Sequence, residues 1–195
     1  MATTPTYDIA IVGAGIVGLS SAYKFTQAYP DLNILVLEKE DDVAVHQTGR
    51  NSGVIHSGIY YQPGSYKAKN CINGRHQLVD FCEEYGVEYE ICGKVIVATD
   101  NSERPRLQKI YERGLINKIE GIEMIDKKRL HEIEPYVNGV EAIHVPCSGI
   151  VDYRGFCNVL AELITKEPGN DILFNQEVTG VYQGENFLKV KTEKR

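Results

Sequence analysis

The chain has 195 residues, a formal net charge of −6 at pH 7 and 43% hydrophobic residues. This balance predicts a globular protein with its own apolar core, and it argues against nucleic acid or an anionic membrane surface as a partner. The five cysteines are scattered and odd in number, without a secretory signal or a cluster of metal ligands. We therefore expect a cytoplasmic protein with reduced thiols and no metal site.

The first forty residues predict a strand, a glycine turn, a helix and a second strand. In chain order these are a strand at 7–12, the turn Gly13-Ala14-Gly15-Ile16-Val17-Gly18, a helix at 16–29, and a strand at 33–37 that leads into Glu38 and Lys39. Such a βαβ unit begins a Rossmann-like α/β fold with parallel strands.

Each part of this motif has a physical task in binding a dinucleotide. Gly13 allows the sharp turn, Gly15 lets the backbone approach a pyrophosphate, and Gly18 lets the helix lie close to the sheet. The helix N-terminus offers N–H groups to phosphates. Glu38 is placed to accept hydrogen bonds from the adenosine ribose and would repel the 2′-phosphate of NADP.

The segment from 46 to 61 contains three glycines and no amphipathic period, which predicts a loop built for close backbone approach. A helix follows at 65–85 and ends at Gly86. The next elements are strands at 87–89 and 94–99, a helix that Ser102 caps and that runs to about 116, a strand at 122–125 and a helix capped by Asp126. The remaining elements are strands at 141–145 and 150–151, a helix from Asp152 or Tyr153 to 166, and strands at 172–174, 178–182 and 188–191.

These elements predict three parts. Residues 1–85 form the dinucleotide-binding part, and residues 86–150 form an inserted mixed α+β region on the substrate side. Residues 151–195 return to the first part, where the last helix and strand 172–174 dock onto the same sheet.

Four stretches resemble the L-2-hydroxyglutarate dehydrogenase/oxidase family, a branch of the D-amino-acid-oxidase-like FAD oxidoreductases. The most specific is His46-Gln-Thr-Gly-Arg-Asn-Ser-Gly-Val-Ile-His-Ser-Gly-Ile-Tyr-Tyr61, and the others are Pro63–Cys71, Cys92–Ala98 and Pro146–Arg154. The resemblance implies FAD rather than NAD on the opening motif. Family members continue well beyond residue 195, so we expect this chain to be an N-terminal fragment with little activity alone.

The resemblance also implies further contacts with FAD. It places the loop over the pyrophosphate, ribityl chain and flavin, and it places backbone of Val178 against adenine. The loop residues concerned are Thr48, Arg50, Asn51, Ser52, Gly53 and Val54. Arg50 stands where the family usually has histidine, so FAD attached covalently through that position is excluded. Arg50 then faces a phosphate or the flavin edge, or it is a surface arginine.

The implied reaction removes two hydrogens from a 2-hydroxy dicarboxylate and yields 2-oxoglutarate from L-2-hydroxyglutarate. His56 is the candidate base, although it alternatively only bonds backbone. Tyr60 and Tyr61 either line the substrate pocket or pack, and Lys67 and Lys69 either meet the dicarboxylate or form a solvated face. Three further matters stay open, namely whether a quinone or oxygen is the electron acceptor, whether the protein attaches peripherally to the inner membrane, and the oligomeric state. The alternatives are a glycerol-3-phosphate or amine/amino-acid oxidoreductase of the same superfamily, and an inert flavin-binding chain.

Overall fold

A computed structural model describes residues 6–194. In chain order its strands are β1 (Ile9–Val12), β2 (Ile34–Leu37), β3 (Val54–Ile55), β4 (Tyr89–Glu90), β5 (Lys94–Ala98), β6 (Glu123–Asp126), β7 (Glu141–Val145), β8 (Gly149–Val151), β9 (Asp171–Leu173), β10 (Gln176–Gln183) and β11 (Leu188–Lys194). Its helices are α1 (Ile16–Ala28), α2 (Tyr66–Tyr85), α3 (Arg104–Ile116), α4 (Lys127–Ile133) and α5 (Tyr153–Lys166).

The chain forms two compact units, one of residues 6–51 and 152–194 and the other of residues 52–151. The sequence placed the second boundary beside 151 but the first after residue 85. Helix α2 instead belongs to the second unit, because Ile72 packs on that unit's core and Arg75 donates to the carbonyl of Cys147. The division of function between the parts stays a prediction.

The first unit contains a parallel sheet in the order β1-β2-β9. Strand β2 reads Ile-Leu-Val-Leu and is nearly buried throughout, as expected for an inner parallel strand covered on both faces. Helix α5 buries its apolar stripe of Phe156, Cys157, Leu160 and Ile164, which repeats at helical spacing. The predicted docking of α5 and the following strand onto the βαβ sheet agrees with this topology.

Strands β10 and β11 form an antiparallel pair in the first unit, with a register shift between Val178 and Gly180. A bulge of this kind bends the strand and increases its twist. The N–H of Gln176 donates to the carbonyl of Glu38 over 2.8 Å. This bond ties the start of β10 to the end of β2.

The second unit contains an antiparallel sheet in the order β5-β7-β6 and a smaller one in the order β3-β8-β4. Alternate residues of β5 face opposite sides of its sheet. Ile96 and Ala98 pack with Leu107 of α3 in one cluster, whereas Val95 and Val97 pack with Leu130 of α4 in another.

Side-chain caps explain most helix starts. Ser65, Asp126 and Asp152 accept backbone N–H bonds at the starts of α2, α4 and α5, which confirms the predicted cap at Asp126. The prediction for α3 was wrong: its N-cap is Glu103, and the hydroxyl of Ser102 bonds Asp100 instead. Asp100 accepts both the N–H and the hydroxyl of Ser102, and Pro105, three residues after Ser102, has no N–H for a cap to accept.

Across residues 6–194, no helix combines the length and apolar character that a bilayer span requires.

Candidate functional site

A cleft of about 370 Å³ opens in the first unit at the ends of β1 and β2. The carboxyl ends of parallel strands are where α/β sheets bind ligands. Six residues predicted to bind the cofactor line this cleft: Gly13, Gly15, Glu38, Lys39, Thr48 and Val178.

The glycine turn has the geometry that its spacing predicts. Gly13 has a φ of +103°, which an L side chain rarely adopts. A Cβ on Gly18 would lie 2.0 Å from the carbonyl oxygen of Gly13, so only glycine lets α1 approach the turn this closely. A Cβ on Gly15 would lie 3.3 Å from Oγ1 of Thr48 and would narrow the approach to the helix N-terminus.

Glu38 fixes the turn from the neighbouring strand. Its Oε2 accepts the N–H of Ala14 over 2.7 Å, and its Oε1 accepts the N–H of Glu40 over 3.0 Å. A carboxylate has about four acceptor positions, so these two bonds leave acceptor capacity on both oxygens for ribose hydroxyls. Glu38 is therefore a structural link whose carboxylate oxygens can still accept further hydrogen bonds.

Thr48 holds the start of the loop at 46–61 over the N-terminus of α1. Its Oγ1 accepts the N–H of Ile16 over 3.1 Å, one of the N–H groups that has no partner within the helix. The side-chain amide of Asn51 donates to the carbonyls of Gln47 and Thr48, which closes the loop on itself.

The cleft suits the adenosine diphosphate half of a dinucleotide. It joins a helix N-terminus and a glycine turn for the pyrophosphate, a carboxylate for the ribose, and the bulged strand at Val178 for the base. The fit rests on this combination of shape and donors.

Arg50 lies elsewhere in the first unit. It is exposed and lines a separate pocket of about 450 Å³ with Asp41, Asp42 and Arg154. Arg154 forms an ion pair with Asp42. The pKa of Asp42 is lowered mainly by the hydrogen bond from the N–H of Val43 and, to a smaller extent, by the bond from Arg154. The predicted residues Ser52, Gly53, Val54 and His56 belong to the second unit.

A second group of candidate functional side chains lies within residues 52–151. The ammonium nitrogen of Lys94 lies 4.9 Å from the centre of the Tyr60 ring, within cation–π range. Burial lowers the pKa of Lys94. His56 stays accessible to solvent, and desolvation followed by the charge of Lys94 lowers its pKa, which favours the neutral imidazole that a general base requires.

Helix α3 holds the loop that carries Tyr60. Arg113 donates to the carbonyl of Tyr60 over 2.8 Å, and Asn117 donates to the carbonyl of Tyr61 over 2.9 Å. The thiol of Cys71 donates to the carbonyl of His56 over 3.4 Å. These bonds position the loop backbone from two helices.

Sequence reasoning missed two charged residues of the second unit. Lys94 begins an otherwise apolar strand, Lys-Val-Ile-Val-Ala, which was the available signal. Arg75 lies seven residues from both Ala68 and Cys82 and so shares the apolar face of α2. Its guanidinium is 5% exposed and pairs with Glu120 over 2.5 Å.

Other candidates from the sequence are exposed or already paired. Lys67 and Lys69 lie on the exposed face of α2. His46, His76 and His144 lie beside Glu40, Glu120 and Glu123 respectively.

Comparisons with known proteins match this geometry. The sequence profile described as FAD dependent oxidoreductase matches residues 8–195. The mitochondrial L-2-hydroxyglutarate dehydrogenase of Homo sapiens is 50% identical over 92% of this chain and 39% of its own length. The L-2-hydroxyglutarate dehydrogenase of Escherichia coli strain K12 is 42% identical over 95% of this chain and 44% of its own length. The chain thus spans about two fifths of these relatives.

Among solved structures, dithionite-reduced L-alpha-glycerophosphate oxidase from Mycoplasma pneumoniae with FAD bound has a TM-score of 0.89 and 31% identity. The match covers 98% of this chain and 51% of the oxidase.

Proposed function

The chain belongs to the FAD dependent oxidoreductase family, and from this premise we propose that the protein carrying it oxidises L-2-hydroxyglutarate to 2-oxoglutarate. The observation that carries the proposal is its similarity to dehydrogenases named for this substrate, which runs through both units. The cleft in the first unit supports it independently, because its donors suit the adenosine diphosphate half of FAD.

In this proposal the first unit binds the nucleotide half of FAD. Gly15 and the start of α1 receive the pyrophosphate, Glu38 accepts the ribose hydroxyls, and backbone at Val178 contacts adenine. Further contacts come from Lys39, Arg50 and Asn51 of this unit and from Ser52, Gly53 and Val54 of the second unit.

The reaction breaks the C2–H and O–H bonds of the substrate and forms a carbonyl at C2. FAD supplies the two-electron acceptor that takes the C2 hydrogen as hydride. His56 takes the hydroxyl proton on its neutral imidazole and later releases it to solvent. A quinone or oxygen then accepts the two electrons and completes the turnover.

The test of function is turnover by the protein that carries this chain. We expect L-2-hydroxyglutarate to reduce a coupled dye with one 2-oxoglutarate formed per two electrons. sn-Glycerol 3-phosphate and glycine serve as competing substrates, because they represent other oxidases of this superfamily. Turnover of either, with none of L-2-hydroxyglutarate, would assign the protein to another branch.

The nucleotide site is tested by calorimetric titration with FAD and ADP. Glu38→Gln removes charge-assisted bonds of about 1–3 kcal/mol, so we expect Kd to rise roughly 10- to 100-fold. Gly15→Val should weaken both ligands further by obstructing the helix N-terminus. Glu84→Gln at an exposed position of α2 is the control, and equal affinity for all three variants and wild type would refute this site.

We also propose that FAD is bound non-covalently, because Arg50 stands where the family usually has a histidine. Acid denaturation followed by filtration should leave the polypeptide colourless and the flavin in the filtrate. Yellow polypeptide would contradict it.

A cytoplasmic location, with attachment to the inner membrane as a peripheral protein, is also proposed. Cell fractionation with a high-salt wash separates this arrangement from a freely diffusing protein.

A further inference from the structure

We propose that Lys94 anchors a carboxylate of the substrate. This role rests on the function proposed above, and neither the glycine motif nor the comparisons with known proteins assign it. Lys94 starts β5 on the face of the sheet that also carries Ile96 and Ala98. The second unit therefore presents a lysine at the end of an apolar face, beside a loop with a candidate base.

The charge of Lys94 is not balanced by a carboxylate in the part of the chain that the structure describes. Among residues 6–194 it forms no ion pair with a carboxylate. The nearby thiols of Cys71 and Cys147 do not supply the charge, because burial raises the pKa of both and keeps them protonated at neutral pH. A half-buried ammonium without an anion is costly, and a bound carboxylate would repay that cost.

The surroundings add positive potential. Arg106 acts electrostatically on Tyr60, and Arg113 binds the Tyr60 carbonyl. Arg75, a buried cation on α2, is already paired with Glu120. An anionic ligand at Lys94 would thus meet a locally cationic environment.

The position of His56 links this anchor to the reaction. His56 lies four residues before Tyr60, whose ring Lys94 contacts, and after desolvation the charge of Lys94 further lowers the pKa of the His56 imidazole. In a 2-hydroxy acid, a carboxylate is joined directly to the carbon that bears the hydroxyl group. A carboxylate on Lys94 would therefore hold that hydroxyl near the base, which positions the substrate as well as binding it.

The experiment measures glutarate binding to the FAD-loaded full-length protein through the change in flavin absorbance. Glutarate has the two carboxylates but no hydroxyl group, so it reports binding without turnover. We expect Lys94→Met to raise the Kd of glutarate about 10- to 100-fold. Lys94→Arg should retain most of the affinity, and Lys109→Met on exposed α3 should match wild type.

Two readouts separate an anchor from a structural lysine. Added KCl should weaken glutarate binding to wild type, with a shallower dependence in Lys94→Met. Lys94→Gln, which keeps a polar side chain, should show the same loss of affinity at an unchanged melting temperature. If it melts lower but binds glutarate as wild type does, Lys94 is only structural and the proposal is overturned.

The outcomes also separate this inference from the proposed function. Turnover of L-2-hydroxyglutarate by wild type with an unchanged glutarate Kd in Lys94→Met would overturn the anchor alone. Lys94-dependent glutarate binding without that turnover would overturn the function and keep the anchor. Equal Lys94 dependence for inorganic phosphate would overturn the carboxylate assignment, because the site would then bind any anion.

Discussion

The two units place their functional residues in opposite ways. In the first unit the glycine turn and Glu38 lie within one stretch of 26 residues, and the N–H of Ala14 donates directly to the Glu38 carboxylate. In the second unit His56, Tyr60 and Lys94 come from a loop and a strand that are far apart in the chain. The comparison teaches that a nucleotide site built on one βαβ unit can be read from spacing, whereas a site assembled from separate elements cannot.

The largest effect is expected from a substitution that disrupts the close packing of α1 against the glycine turn of the first unit. Gly18→Ala forces a Cβ against the carbonyl oxygen of Gly13, so we expect a loss of about 3 kcal/mol in unfolding free energy. Chemical denaturation monitored by circular dichroism measures it.

Gly74→Ala is the matched control in the second unit. A Cβ there meets no atom within 4 Å in the middle of α2, so alanine should be neutral or stabilise by up to about 1 kcal/mol. Similar losses in both variants would remove the packing argument for Gly18.

Next in size is the buried cation of the second unit. Arg75→Met loses the bonds to Glu120 and to the carbonyl of Cys147, and we expect about 2 kcal/mol of destabilisation. The loss stays below that of a fully buried ion pair, because Glu120 is 53% exposed and the replaced Nε of Arg75 has no partner. Thermal unfolding of both proteins measures the difference.

The same pair predicts a pH dependence. Burial alone would raise the pKa of Glu120, but the bond from Arg75, a backbone hydrogen bond and the charges of Arg75 and His76 together outweigh it and hold this pKa below its ordinary value of 4.5. The stability that this shift contributes is present above the unfolded pKa and is lost as pH falls through the folded value. The gap in melting temperature between wild type and Arg75→Met should therefore shrink below about pH 4.5. A gap that stays constant in acid would contradict the assignment to Glu120.

A smaller effect tests the loop over α1. Thr48→Val removes the acceptor for the N–H of Ile16 and should cost about 1 kcal/mol, seen as a roughly fivefold higher Kd for ADP. Thr165→Val at the exposed end of α5, where the hydroxyl bonds only its own helix, should leave this Kd unchanged. An equal response would show that Thr48 does not organise the nucleotide cleft.

The smallest expected effect is on the reactivity of one buried thiol in each unit, which reports how well that unit excludes solvent. Burial raises the pKa of Cys157 to about 12 and that of Cys82 to about 11. Both should resist iodoacetamide at pH 8.5 in the folded protein, whereas exposed Cys92 reacts. Because these folded-state pKa values lie above the unfolded ones, the associated stability is lost as pH rises above about 9. Peptide mass mapping follows the labelling of each cysteine. Fast labelling of Cys157 would contradict its burial in the core of the first unit.

Much of the fold follows from local rules. The cap at Asp126 and the glycine that ends α2 are decided within a few residues, and the structure agrees with both. The cap predicted at Ser102 does not form, because Asp100 accepts the N–H and the hydroxyl of Ser102 and Pro105, three residues later, has no N–H to donate. The residue type at a cap position therefore does not by itself decide whether the cap forms.

The sequence by itself determined the βαβ unit and the glycine turn, because strand period, φ freedom and helix capping depend on neighbours along the chain. It also indicated that Glu38 would lie beside that turn, since the spacing of a βαβ unit fixes where the second strand ends. Only the tertiary structure decided that α2 joins the second unit, that Arg50 lies outside the nucleotide cleft, and that Lys94 lies beside Tyr60 with no acidic partner among residues 6–194. These outcomes depend on packing and charge between elements far apart in sequence, which no local pattern records.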